Sequence, residues 1–260
     1  MLDASVYRRI REEYGFPAYI LDSDRLCENY RLLTAGMSAG YAPYRAAYSY
    51  KTNYTPRIVS LVHALGGMAE VVSGMEYALA RRVGNAPENI LFNGPCKGAD
   101  GIAALLEGAC VVIDNEEELA AVVRSAAAHP ERVCHTALRL HVDIGSGKPS
   151  RFGLRTEPEY LQKIVSRLRA GKNLSFDGIQ CHISGSRSIA GWESRARVML
   201  ALAKELFPAA PPRFIDLGSG MFGRLPEAMR ASFAQPIPTF EEYGAAVGAL
   251  FAAEYGALPE

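Results

Sequence analysis

A single lysine ends the short run "AAYSYKTN" at residues 46–53, where small and aromatic residues give way to a polar turn. In a largely apolar setting the Lys51 ammonium is costly unless it is paired, deprotonated or used covalently. An amine so placed is a nucleophile for carbonyl chemistry. Far along the chain, "DLGSGMFG" (216–223) follows an apolar stretch and presents Gly218, Ser219 and Gly220, with Gly223 beyond. Glycines let backbone N–H groups approach an anion closely, and a concave set of such groups binds phosphate. "HISGSRS" (182–188) adds His182 and the donors of Ser184, Gly185 and Ser186.

The elements that must position these groups alternate along the chain. Candidate strands are "AAYSYK" (46–51), "MAEVV" (68–72), "ILFNG" (90–94), "CVVID" (110–114), "TALRLHV" (136–142), "FDGIQCHI" (176–183) and "RFIDLG" (213–218). Helical patterns such as "TPRIVSLVHALG", "DGIAALLEGA" and "GWESRARVMLALAKELF" separate them, several closing on glycine. Strands alternating with helices imply parallel pairing with helical crossovers, and the pattern fits an α/β chain with a (β/α)8 TIM-type barrel. An open doubly wound sheet would need a Gly-rich turn after its first strand, where Lys51 stands instead.

In such barrels the reactive groups sit at the C-terminal ends of the strands. Lys51 ends the first strand, Glu70 lies in the second, Arg139 in the fifth and His182 near the end of the sixth. The glycines follow the seventh, where barrels commonly hold phosphate. Singly, Glu70 reads as a surface charge, Arg139 as an ion-pair partner and His182 as a core histidine. Their convergence on one mouth makes a site. A lysine amine beside a phosphate cradle is what pyridoxal 5′-phosphate requires, and the aromatic residues next to Lys51 would border an apolar slot for its ring.

Bulk properties narrow the setting. The 260 residues carry 28 basic and 28 acidic side chains, so no net field steers the chain to nucleic acid or to an anionic membrane. The N-terminal "MLDASVYRRIREEYG" lacks the apolar core of a signal peptide, and no apolar run reaches membrane-spanning length. Five scattered cysteines without a CxxC pair fit reduced, mostly buried thiols in a cytoplasmic protein, without a disulfide frame or metal site.

With these residues in view, the sequence resembles the fold-type III pyridoxal-phosphate decarboxylases, the diaminopimelate, ornithine and arginine decarboxylase group. The likeness runs from "FPAYILDSDRL" to "DLGSGMFG" through "YSYKTN", "AEVVSGMEYALARRVG", "ILFNGPCKGADGIAALLEG", "VVIDNEEELAAV", "SRFGL" (150–154) and "HISGS". It implies that Lys51 forms the Schiff base and shuttles a proton, and that His182 stacks on the cofactor ring. Ser186 or Ser184, with Gly218, Ser219 and Gly220, would hold the phosphate, and Glu70 and Arg139 would line the pocket. The implied reaction is decarboxylation of an amino acid, a small-molecule substrate with a polar or basic side chain, by a homodimer when full length. Departures are the extra residue in "HISGS", Gly218-Ser219-Gly220 for three glycines, and "RLHVD" (139–143).

In that family an eighth strand bearing a Glu-Pro-Gly-Arg motif and then a β domain follow the helix that here reads "FEEYGAAVGALFAAEYG". The expectation is therefore a pyridoxal-phosphate-binding barrel over 1–260 lacking strand 8 and the β domain. Residues 16–22 would be a strand of that absent domain or of a split partner, and the chain alone would be inactive. An amino-acid racemase of the alanine racemase group and a non-catalytic cofactor-binding homologue are the alternatives.

Overall fold

The computed structural model describes residues 3–145, 150–233 and 236–256. Two helices, α1 (Ala4–Tyr14) and α2 (Ser23–Gly40), precede the first strand. Then β1 (Ala47–Ser49), α3 (Pro56–Ala64), β2 (Met68–Val71), α4 (Gly74–Arg82), β3 (Ile90–Phe92), α5 (Gly98–Glu107) and β4 (Cys110–Ile113) alternate. The alternation continues through α6 (Glu116–Ala128), β5 (Cys134–Arg139), α7 (Pro158–Arg169), β6 (Leu174–Gln180), α8 (Ile189–Leu206) and β7 (Phe214–Asp216). A single turn, α9 (Glu227–Arg230), and a long helix, α10 (Phe240–Tyr255), follow. Side-chain caps start α2, α4, α6 and α8 at Asp22, Ser73, Asn115 and Ser188, and Thr239 with Glu242 forms a capping box on α10.

The seven strands form one parallel sheet in the order β1 to β7, each paired with its sequence neighbours. This curled sheet is the expected barrel wall without an eighth strand, and β1 and β7 pair on one side only among the described residues. Side chains alternate across it. Outward residues such as Val71, Phe92, Val111, Ile113, Leu138 and Ile179 pack against the helices in the main core. Inward, Leu91, Cys110, Val112 and Ala137 form a smaller apolar layer with Ala47, Met68 and Phe214.

The helical layer is continuous where the sheet is not. α10 packs along α2 and against α8, bridging the flanks of both edge strands. Gly36 and Gly40 meet Gly244 and Gly248 there, and a Cβ on Gly40 would lie 1.8 Å from the Gly244 carbonyl oxygen. Only side-chain-free positions allow that approach of two backbones.

Strand ends differ from the sequence expectation in one direction. The first, second, third, fourth, fifth, sixth and seventh strands end at 49, 71, 92, 113, 139, 180 and 216, each before its expected end. Just beyond these ends polar residues such as Asn93, Asp114 and His182 alternate with apolar ones such as Tyr50, Leu140 and Cys181 that still pack in the helix-side core. Residues 16–22 form no strand within this chain; Phe16, Tyr19, Ile20 and Leu21 are exposed. Cys110, Cys134 and Cys181 are buried as expected, whereas Cys27 is half-buried and Cys96 exposed; all five are free thiols.

Candidate active site

Beyond the apolar layer, toward the C-terminal ends of the strands, the inner face turns polar. Register pairs Ser49 with Glu70, and aligns Arg139 with Gln180 and Gln180 with Asp216. Paired residues in a parallel sheet share a face, so these side chains converge inside the mouth. The Glu70 carboxylate accepts a bond from the Asn93 amide at 3.1 Å. Burial first, and then the nearby Glu70 charge, pushes the Asp216 carboxyl well above the usual carboxylate range. The protonated, neutral form of Asp216 is thereby favoured inside the mouth.

Arg139 is buried and bonds Asp114 at 3.1 Å, with its guanidinium 5.0 Å from the centre of the Phe152 ring. The other Asp114 oxygen accepts from the Gly153 amide at 3.2 Å. The "SRFGL" motif is thereby tied to the mouth. A second buried pair, Lys97 to Glu118 at 2.6 Å, supports the next loop, and Glu118 also accepts from the Asp114 amide at 3.0 Å. Ser49 Oγ and Gln180 Oε1 are buried polar atoms without a partner among the described residues. Unpaired buried polar atoms are rare and mark a place for a polar ligand.

The loops after β6 and β7 are packed together. His182 Nδ1 faces the Ser219 amide at 3.4 Å. Gly218 and Gly220 have φ of 70° and 103°, in the left-handed region. Their missing Cβ atoms would lie 2.3 Å from the Cys181 carbonyl oxygen and 2.6 Å from that of Ile183. Both glycines are required by close approach as well as by backbone angle. Burial, with the nearby positive charges of Lys51, Arg139 and Arg195, lowers the His182 pKa to about 4. Its imidazole is therefore neutral at physiological pH. Ser184 is exposed, and Ser186 Oγ sits where a Cβ on Gly191 would fall, against the first turn of α8.

Lys51 requires a correction. It stands on a short 3-10 turn, Tyr50–Thr52, one step beyond β1, and is exposed, not set in apolar surroundings. Tyr48 and Tyr50 do not border a ring slot; they pack outward into the helix-side core, and the Tyr50 hydroxyl accepts from Asn85 at 3.3 Å. The strand period explains this, since Ala47 and Ser49 take the inner positions. The charge of Lys51 nonetheless acts on His182 and on Glu76, so it belongs to the same mouth.

Four further residues were not singled out from sequence. Glu76 is buried, accepts from the Val72 amide at 2.8 Å and has its pKa raised mainly by burial. Asn93, Asp114 and Asp216 follow the same rule as the predicted residues: a polar side chain at or just past the end of an apolar strand.

A match to known proteins decides the family. The family model described as "Pyridoxal-dependent decarboxylase, pyridoxal binding domain" matches residues 30–245. The chain belongs to this family. Diaminopimelate decarboxylase of Aquifex aeolicus (strain VF5) is 24% identical over 233 residues, 82% of this chain and 52% of that protein. The enzyme of the same name from Methanothermobacter thermautotrophicus is 27% identical over 229 residues, 82% of this chain and 51% of that protein. Diaminopimelate decarboxylase from M. jannaschii, solved in complex with L-lysine, superposes with a TM-score of 0.80 at 21% identity. That superposition covers 97% of this chain and 61% of the other. The chain thus spans about half the length of the curated relatives it matches.

The residues fit the family's cofactor, pyridoxal phosphate. Orphaned polar atoms line the interior, a cradle that any Cβ would fill lies beyond β7, and a lysine amine is accessible at the same mouth. No helix among the described residues is long and apolar enough to cross a membrane.

Proposed function

We propose that this protein acts in the pyridoxal-phosphate-dependent decarboxylation of an amino acid with a polar or basic side chain. The observation that carries the proposal is the folding of the Gly218–Gly220 loop onto His182, within the field of Lys51. Lys51, on an exposed turn, offers the amine that binds the cofactor and later carries a proton at Nζ. Neutral His182 presents a flat face to the ring without adding positive charge. Gly218, Ser219 and Gly220, with Ser184 or Ser186, hold the phosphate through backbone and hydroxyl donors. Asp216, its pKa raised chiefly by burial, keeps a proton inside the pocket, and Arg139, fixed by Asp114, adds to the polar wall. When bound, pyridoxal phosphate supplies the carbonyl that takes the substrate amine and the conjugated ring that receives the electron pair left as carbon dioxide departs. The protein's part is orientation: the carboxylate must leave perpendicular to the ring, and positioned groups impose that.

The exposed apolar segment 16–22 suits docking on a β domain of the kind that follows this barrel in the family, and a cytoplasmic homodimer belongs to the same reading. Adding pyridoxal phosphate should produce a visible absorbance band that Lys51→Ala abolishes. Carbon dioxide release from a panel of L- and D-amino acids then identifies the substrate. Racemisation without gas release would replace decarboxylation with the racemase reading.

A further inference from the structure

Helix α8 buries a stripe of Trp192, Ala196, Met199, Leu200, Ala203 and Leu206, and within that stripe sits Arg195 at 0% exposure. An arginine so deep is rare unless its charge is matched. Its bonds all go to backbone carbonyls of the two mouth loops. Nη1 donates to Leu217 at 2.9 Å and to Ser219 at 2.8 Å, while Nη2 donates to Ile183 at 2.7 Å and Ser186 at 3.3 Å. The Trp192 ring lies 4.7 Å from the guanidinium. No carboxylate stands within ion-pair distance among the described residues, and the buried Nε has no acceptor there. A guanidinium does not lose its proton in proteins, so the charge persists.

Peptide geometry gives this clamp a direction. Apart from Phe16–Pro17, the described peptide bonds are trans, and in a trans peptide the C=O and N–H groups are antiparallel. Turning the carbonyls of residues 183, 186, 217 and 219 toward Arg195 therefore turns the N–H groups of Ser184, Arg187, Gly218 and Gly220 away from it. Gly218 N–H is taken by the Asp216 carboxylate at 2.7 Å. Those of Ser184, Arg187 and Gly220 have no acceptor among the described residues. The same loops are held a second time by buried Tyr243 on α10, whose hydroxyl donates to the Arg187 carbonyl and accepts from the Phe222 amide at 3.5 Å.

We propose that Arg195 is a positioning residue for the phosphate subsite: it aims the amides of Ser184, Arg187 and Gly220 at the anion and supplies, from beneath the loops, the positive charge that a bound phosphate dianion balances. The proposal rests on the cofactor reading above for the identity of the ligand, and on the buried guanidinium for the subsite itself. It separates two tasks at this end of the barrel. Lys51 and His182 attend to the ring, and Arg195 touches neither the ring nor the substrate and contacts only the loops of the phosphate subsite.

The test compares three probes, pyridoxal phosphate, pyridoxal and inorganic phosphate, on wild type, Arg195→Met and Arg195→Lys. In Arg195→Met, affinity for pyridoxal phosphate and for inorganic phosphate should fall by about tenfold or more, the loss expected for charge-assisted anion contacts, while that for pyridoxal holds within about twofold. Arg195→Lys should recover part of the loss. Equal losses for pyridoxal and pyridoxal phosphate would make Arg195 a packing residue and overturn the proposal. A measurement on wild type covers the case in which a variant fails to fold: hydrogen exchange at the amides of Ser184, Arg187 and Gly220 should slow with saturating pyridoxal phosphate or inorganic phosphate. Unchanged exchange with both would also overturn it. If pyridoxal compounds do not bind, yet inorganic phosphate protects those amides, the cofactor reading fails and the Arg195 subsite stands.

Discussion

The two ends of the barrel treat charge in opposite ways. At the N-terminal end, a bulge in β6 turns Asp177 inward, 3% exposed, where His135 and Arg213 each bond it at 2.7 Å and the Ser175 hydroxyl donates to its second oxygen. Both oxygens are satisfied, and the cluster seals the floor beneath Cys110. At the mouth, Asp216 is driven toward its protonated form, His182 toward its neutral form, and Arg195 has only carbonyls for company. The floor cluster is fully paired, whereas at the mouth Asp216, His182 and Arg195 stand without an ion-pair partner among the described residues, beside the paired Arg139–Asp114 and Lys97–Glu118. Asp216 and His182, pushed away from their ordinary protonation states, lie at the mouth where the proposed function places the cofactor.

Breaking the floor should have the largest effect on stability. Asp177→Ala leaves His135, Arg213 and Ser175 without their acceptor and should cost about 1–3 kcal/mol in urea unfolding, the range for leaving buried hydrogen-bonding groups unsatisfied. Cofactor affinity should remain unchanged. At the mouth the order reverses. Gly220→Ala forces a side chain onto a φ of 103° and against the Ile183 carbonyl, costing about 1–2 kcal/mol of stability while weakening cofactor binding more than any floor variant.

The contrast also has a pH form. The folded chain holds the Asp216 proton above the pH at which the unfolded chain releases it, so this group lowers stability as pH rises through that interval. His182 acts in the other direction. Its pKa falls from 6.5 to about 4 on folding, so the unfolded chain binds the proton first and stability drops as pH is lowered between those values. Asp216→Asn removes the first dependence. The variant should be at least as stable as wild type at neutral pH, and should lose more stability between pH 6.5 and 4 in denaturant titrations. Smallest of all, Arg213→Ala should cost about 1 kcal/mol or less, because Arg213 is 64% exposed and His135 and Ser175 still serve Asp177. A loss as large as that of Asp177→Ala would show that the floor depends on charge and not on the buried carboxylate's hydrogen bonds.

Legibility followed how local each signal is. Glu70 and Arg139 were readable because they interrupt apolar strands at inward positions, and His182 and the glycines because they follow such strands. Strand ends were overestimated because residues such as Val142 and Ile183 keep the composition of a strand after the ladder has ended; where pairing stops depends on the neighbouring strand. The slot assigned to Tyr48 and Tyr50 failed for a related reason, since a three-residue strand shows alternation but not which face is inner. Arg195 left one trace, a charge at a core-facing position of α8 between Trp192 and Ala196, and helical periodicity alone attaches no partner to it.

The amino-acid sequence by itself determined the order of strands and helices, the parallel sheet and the residues offered at its C-terminal edge, because hydrophobic period, caps and turn glycines act over a few residues. Tertiary structure alone decided which of those residues face one another. The raised pKa of Asp216, the neutral state of His182 and the carbonyl clamp on Arg195 arise between segments far apart in the chain. Burial and proximity, the two causes that set a group's charge, exist only once the sheet has curled.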